Sequence, residues 1–230
     1  MQANLIFKRP HIPRLEEDNV RQGFIEDEHY RLVLLELPGH LKAMFVCGYH
    51  LGMRAGEFRK LRWEQIDLGS KEVRLERKQT KSKRPRTAPI YGDMIPWLEH
   101  QKEEHDELWP DCPFVFHYRG RPISEHIKGW RRAAVAAGLP NLLFHDLRRS
   151  AVRNMERDGI PRKVAMSITG HRTESVYTRY DIVSGRDQRL AAEKLEAYFA
   201  KQKELRGASD STLASTNEYR TREAHSKDTQ

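Results

Sequence analysis

The chain has little cysteine, no long apolar run and no concentrated carboxylate cluster suited to Mg²⁺. Its two cysteines, Cys47 and Cys112, lie far apart. That arrangement gives neither a disulfide framework nor the ligand spacing of a zinc site. Cys47 falls in the apolar stretch AMFVCGY and reads as a small buried residue. No stretch approaches the roughly 18 apolar residues of a membrane span. The opening residues, MQANLIFKRP, lack the apolar core of a signal peptide. The expected setting is cytoplasmic, with no membrane partner. Negative charge is also in short supply. Lys and Arg number 41 against 33 Asp and Glu, for a formal net charge of +8. A basic chain of this kind suits a polyanionic partner, of which nucleic acid is the commonest.

What is present is mostly helical in pattern. Residues 1–22 hold Pro10 and Pro13 without periodicity and read as a linker or arm. GFIEDEHYRLVLLELP and HLKAMFVCGYHLG read as helices, the second stopped near Gly52. A third helix is expected through AGEFRKLRWEQIDL, with Arg54 at its start. EVRLERKQ alternates like a strand, KSKRPR like a turn and TAPI like the returning strand. Helices follow from about Met94 to Leu108, with Pro96 in the first turn, and after Ser124 as N-cap to Gly138. FVFHY between them is short and extended. Further helices are expected over 146–157, over PRKVAMSIT to Gly170, and briefly in TESVYTRY. The last, RDQRLAAEKLEAYFAKQKEL, precedes a polar stretch, 206–230, expected to be disordered. The fold class is therefore α+β, mostly helical, with a small antiparallel sheet or hairpin. No internal repeat is visible.

Five polar residues stand out against this background. Arg54 lies in GMRAGE, His145 and Arg148 in FHDLRRS, His171 in ITGH, and Tyr180 nine residues later in SVYTRY. Attack on a phosphodiester builds negative charge on the non-bridging oxygens. With no carboxylate cluster suited to Mg²⁺, fixed cations must neutralise it, so no metal and no cofactor are expected. Two arginine forks can hold the phosphate oxygens, a phenol can attack, and histidine can carry protons near neutrality. Tyr177 competes with Tyr180 from one helical turn earlier. Glu57, one turn from Arg54, is placed to orient it by a salt bridge. Asp146 reads as a cap for the helix that carries Arg148.

The ordered set of Gly-x-Arg-x-x-Glu, a basic hairpin, His-x-x-Arg, Gly-His and a tyrosine nine residues on resembles the catalytic domain of the tyrosine recombinases, or phage integrase family. The resemblance covers roughly residues 23 to 200. It implies the recombinase catalytic fold and a site-specific recombinase or integrase that cuts and rejoins DNA through a 3′-phosphotyrosine on Tyr180. It also implies a hairpin lysine as general acid toward the leaving 5′-oxygen. Lys81 is the candidate, with Lys78, Lys83 and Arg84 as alternatives. His145 is expected to bond a phosphate oxygen or take the tyrosine proton, and His171 to bond the phosphate beside the nucleophile. Arg77, Lys78, Lys83, Arg84, Arg86 and Arg149 are expected along the DNA backbone.

The implied partner is double-stranded DNA bearing attachment-type sites. A homotetramer is expected on DNA, with a monomer as the option for the chain alone, and the helix near 186–204 is the candidate docking element. The expected division is an arm over 1–22, the catalytic domain over 23–205 and the tail over 206–230. Family members usually carry a further helical domain upstream, for which the 22 leading residues are too few. Two alternatives stay open: a non-catalytic DNA-binding remnant or regulator at recombination sites, and type IB topoisomerase-like nicking and closing.

Overall fold

A computed structural model describes residues 23–78, 80, 84–123, 127–181, 183 and 185–227. Helices α1 (Asp27–Glu36) and α2 (Gly39–Leu51) open the chain, followed by the single turn α3 (Ala55–Phe58). Strands β1 (Ile66–Asp67), β2 (Glu72–Leu75) and β3 (Arg86–Pro89) form an antiparallel sheet in that order, with Val73 opposite Ala88 and Leu75 opposite Arg86. Helix α4 (Met94–Leu108), the small ladder of β4 (His117–Tyr118) and β5 (Arg121–Pro122), and α5 (Ile127–Ala136) come next. Helices α6 (Asp146–Arg157), α7 (Arg162–Thr169) and α8 (Glu174–Tyr177) complete the first compact unit, which ends at Asp181. The mostly helical class with a small antiparallel sheet is the one expected.

Helix α2 is the centre of the core. Leu41, Met44, Phe45, Val46 and Leu51 are all buried, so it is apolar nearly all round and packs on both α4 and α6. A Cβ on Gly48 would lie 2.8 Å from Leu147 Cδ1, so the missing side chain lets α6 approach closely. In α6 the buried stripe runs through Leu147, Ala151 and Met155, with Arg148 and Val152 beside it. The helical period therefore carries Arg148 inward.

Two ends of this unit are fixed by polar contacts. Ile25 N–H donates to Ser150 Oγ at 2.7 Å, and Glu26 takes a bidentate bond from Arg157 and an ion pair from Arg153. Residues 24–26 are thereby strapped to α6. At the basic hairpin, Thr80 is buried, donates to the Arg84 carbonyl at 2.8 Å and accepts the Arg84 N–H at 3.1 Å. Lys81, Lys83 and the Ser124 cap lie outside the described residues, as does the arm over 1–22.

Three expectations change. The helix from Arg54 stops after one turn. Leu61 carbonyl instead accepts the Val115 N–H, and Trp63 N–H donates to Pro113 carbonyl, so tertiary pairing overrides a helix-like pattern. Asp146 does not cap from outside α6. It is the first helical residue and accepts the N–H of Leu143, three residues back, at 2.8 Å. The polar stretch after 206 continues one long helix, α9 (Gly185–Lys227), in the second unit. Ala, Glu, Lys and Arg recur along it and lose little entropy in a helix.

Helix α7 ends on Gly170 with φ +73°, where a Cβ would meet Arg86 Cζ at 2.6 Å. Gly138 has φ +78° and nothing within 4 Å of such a Cβ. Gly138→Ala should therefore cost only backbone strain, about 1 kcal/mol. Gly170→Ala should cost at least about 1 kcal/mol more, because Arg86 must also move. Urea melts of both variants would check this, and equal losses would remove the Arg86 contact from the account.

Candidate active site

The site is built from the start of α3, from α6, and from the turns after α7 and α8. Arg148 is 1% exposed. A buried guanidinium needs partners on several of its nitrogens. Nη1 donates to the carbonyls of Gly52, at 2.6 Å, and Thr169, and Nε donates to His171 Nε2 at 3.1 Å. Nη2 is buried with no hydrogen-bond partner among the described residues. Burial and the nearby charge of Arg54 push the Arg148 pKa down to about 9, so the group is still cationic at neutral pH.

The bond from Arg148 fixes the state of His171. Thr169 Oγ1 gives its proton to the Ala165 carbonyl, so the 2.7 Å contact to His171 Nδ1 runs from the ring N–H to the hydroxyl. His171 Nε2 then accepts from Arg148, and the ring is neutral. Burial, followed by the charges of Arg148, Arg54 and Arg86, takes the His171 pKa down to about 3. Both ring nitrogens hold protein partners, which leaves neither for the expected bond from His171 to phosphate. The His171 ring centroid lies 4.7 Å from that of Tyr180, with the two rings tilted by 53°, as a packing partner of that side chain.

Tyr180 is half-buried, and its hydroxyl is 3.0 Å from His145 Nε2. Burial and then Arg148 and Arg149 lower the His145 pKa, which keeps the ring able to accept a proton. Tyr177 is fully buried against the Val152 and Met155 cluster, and burial raises its pKa. That separates the two tyrosines: only Tyr180 presents its hydroxyl to the histidine–arginine group.

Arg54 stands at the N-cap of α3, with its side chain 29% exposed. Glu57 accepts the Arg54 backbone N–H at 3.0 Å and its Nη1 at 3.4 Å, closing the first turn. The same carboxylate takes Nη1 and Nη2 of Arg86 at 3.3 and 2.7 Å. Burial alone would raise the Glu57 pKa, but the hydrogen bonds and charge of Arg86, then those of Arg54, bring it below the ordinary range. Arg86 also donates to the Ile168 carbonyl at 3.2 Å, so it ties β3 to α3 and α7. Its guanidinium faces the protein, not the outer surface where the basic run placed it. Arg149 is bonded to Asp146 at 2.8 Å. Arg77, Lys78 and Arg84 are exposed on the hairpin.

The structure thus brings Arg54, Glu57, His145, Arg148, His171 and Tyr180 together. Sequence reasoning missed Thr169, the Gly52 carbonyl and the anchoring part played by Arg86. Thr169 carried a usable signal, a small polar residue closing an apolar helix just before Gly170. Among the described residues no three His, Cys, Asp or Glu side chains converge as metal ligands, and no helix is long and apolar enough to cross a membrane.

The neutral His171 ties stability to pH. Its pKa falls from the ordinary 6.5 to about 3 on folding. Between those values the unfolded chain binds a proton that the folded one refuses, so stability drops as pH falls through this window. His145 acts in the same direction. A His171→Gln variant should show a flatter dependence of melting temperature on pH between about 6.5 and 4 than the unsubstituted chain. Parallel curves would contradict the assignment.

The chain is similar to several known proteins. The chain is 28% identical over 208 residues to a "Tyrosine recombinase XerC-like" protein of Caldanaerobacter subterraneus subsp. tengcongensis, covering 73% of this chain and 53% of that one. It is 23% identical over 190 residues to the "Integrase" of Salmonella phage P22, covering 76% and 48%. The chain spans about half the length of these relatives. Among solved structures, XerA recombinase matches with a TM-score of 0.66 at 16% identity, covering 74% of this chain and 64% of that one. A lambda integrase dimer bound to a COC′ core site matches with a TM-score of 0.61 at 22% identity, covering 75% and 51%. A family model described as "Phage integrase family" matches residues 14–186, and the chain belongs to that family.

Proposed function

We propose that the chain is the catalytic part of a site-specific DNA recombinase or integrase. In this reading it cuts and rejoins double-stranded DNA at attachment-type sites through Tyr180. The observation that carries it is the Tyr180 hydroxyl held 3.0 Å from a neutral-favouring His145, beside the buried Arg148. Both the XerC-like protein and the phage integrase bear names of this activity, and the lambda structure is described as bound to a core site.

The phenol oxygen attacks phosphorus, and its proton passes to His145. The P–O5′ bond breaks as the P–Oη bond forms, leaving a 3′-phosphotyrosine and a 5′-hydroxyl. Lys81 donates the proton that the leaving oxygen needs. Arg54 and the free Nη2 edge of Arg148 face the developing charge on the non-bridging oxygens, where fixed donors are worth most. His171 acts through Arg148, setting the plane of its guanidinium. The bond energy is kept in the phosphotyrosine, so attack by a 5′-hydroxyl reseals the strand without ATP. Arg77, Lys78 and Arg84 follow the backbone outside the site and add affinity without sequence preference. Assembly into a tetramer on paired sites belongs to the same proposal.

The test is a nicked suicide duplex drawn from DNA flanking the chain's own gene. A covalent adduct that resists denaturant is expected, and Tyr180→Phe should abolish it. An adduct that survives in Tyr180→Phe would dismiss the assignment. Binding with no adduct on any such duplex would favour a non-catalytic DNA-binding role, and relaxation of supercoils without strand exchange a topoisomerase-like one.

A further inference from the structure

Arg149 follows Arg148 on α6 and was expected on the DNA backbone. Its surroundings suit another task. The side chain is only 13% exposed, and Nη1 donates to Asp146 Oδ1 at 2.8 Å. Its Cζ lies 5.2 Å from the centroid of the Tyr180 ring, within the range of a cation–π contact. Arg148 Cζ is 5.5 Å from the same centroid. Asp146 is itself fixed. It is fully buried, its Oδ2 accepts the Leu143 N–H at 2.8 Å, and a Cβ on Gly23 would lie 2.6 Å from that oxygen. A carboxylate wedged on both sides cannot follow the rotamers of a mobile arginine, so it sets where the guanidinium rests.

We propose that Arg149, held by Asp146, is a positioning residue that clamps the face of the Tyr180 ring and keeps its hydroxyl on His145. The inference rests on the reading of Tyr180 as nucleophile. The need for a clamp follows from the local chain. Tyr180 comes after α8, a helix of four residues, and so short a helix has little stiffness of its own. The ring is steered instead by what touches it: the His171 ring, the guanidinium groups of Arg148 and Arg149, and His145 at the hydroxyl. Arg148 is occupied by backbone carbonyls and His171, whereas Arg149 is bonded to Asp146, a fixed carboxylate packed against Gly23 beside the strapped residues 24–26. The clamp therefore links the position of the nucleophile to the seating of that segment on α6.

A phosphate contact and a ring clamp predict opposite patterns. Single-turnover cleavage of the suicide duplex at saturating DNA, and the salt dependence of DNA binding, should be measured for Arg149→Gln, Arg149→Lys and Asp146→Asn. A clamp predicts that Arg149→Gln slows saturated cleavage about tenfold while DNA affinity and its salt slope stay close to those of the unsubstituted chain. Arg149→Lys should recover part of the rate, because its charge can still pair with Asp146. Asp146→Asn keeps an acceptor for the Leu143 N–H and should slow cleavage in the same direction, which covers the case in which an Arg149 variant folds poorly. Unchanged saturated cleavage with weaker binding and a salt slope reduced by about one would make Arg149 a phosphate contact and overturn the clamp. Absence of any adduct from the unsubstituted chain would fell the nucleophile assignment first, and the clamp with it.

Discussion

The burial of one guanidinium organises the rest of the site. Taking an arginine out of water costs several kcal/mol unless its donors are met. Arg148 meets that cost with groups from three separate places: the Gly52 carbonyl that ends α2, the Thr169 carbonyl that ends α7, and the ring of His171. None of these could shift without stranding a buried charge. The ends of two helices and the turn after the second are therefore held in one relation, and Arg54 follows Gly52 by two residues. The backbone that carries Arg54 is thus tied to the Arg148 fork, and the Arg54 fork is held in turn by Glu57.

A second carboxylate-centred knot supports the first. Glu57 closes the turn that starts at Arg54 and also receives the whole fork of Arg86 from β3. The sheet that carries the basic hairpin is joined by that ion pair to the turn that begins at Arg54. Tyr180 enters last, from a short helix with little rigidity, and is placed by contacts to His145, His171 and the arginines. The hierarchy is one of stiffness: helix ends fix the arginines, the arginines fix the histidine, and these together seat the tyrosine.

Much of this was legible in the sequence because it rests on short-range pattern. Helix α6 and its stop before Gly159, the stop of α2 at Gly52, and the β2–β3 hairpin follow from periodicity and glycine placement. The ordered motif residues named the members of the site. What could not be read is what depends on residues distant in the chain. The break after Phe58 comes from pairing with Pro113 and Val115, which no local window contains. Arg86 looked like one more cation in a solvated run, yet the register that sets Leu75 opposite Arg86 also turns its side chain toward Glu57. The nine-residue spacing from His171 already favours Tyr180 over Tyr177, but the burial of Tyr177 and the contact of Tyr180 with His145 belong to the assembled core. Lys81 rests on the sequence, since it lies outside the described residues.

Thr80 shows how a small side chain shapes a large encounter. Its hydroxyl bonds the Arg84 carbonyl and N–H, so the base of the basic hairpin is already closed before any partner arrives. Arg77, Lys78 and Arg84 are thereby drawn into a preset neighbourhood instead of sampling the freedom of an open loop. Part of the chain entropy that association would otherwise take from this segment has been surrendered at folding. For any charged group that such an arrangement attracts, less of the attraction goes into ordering this segment.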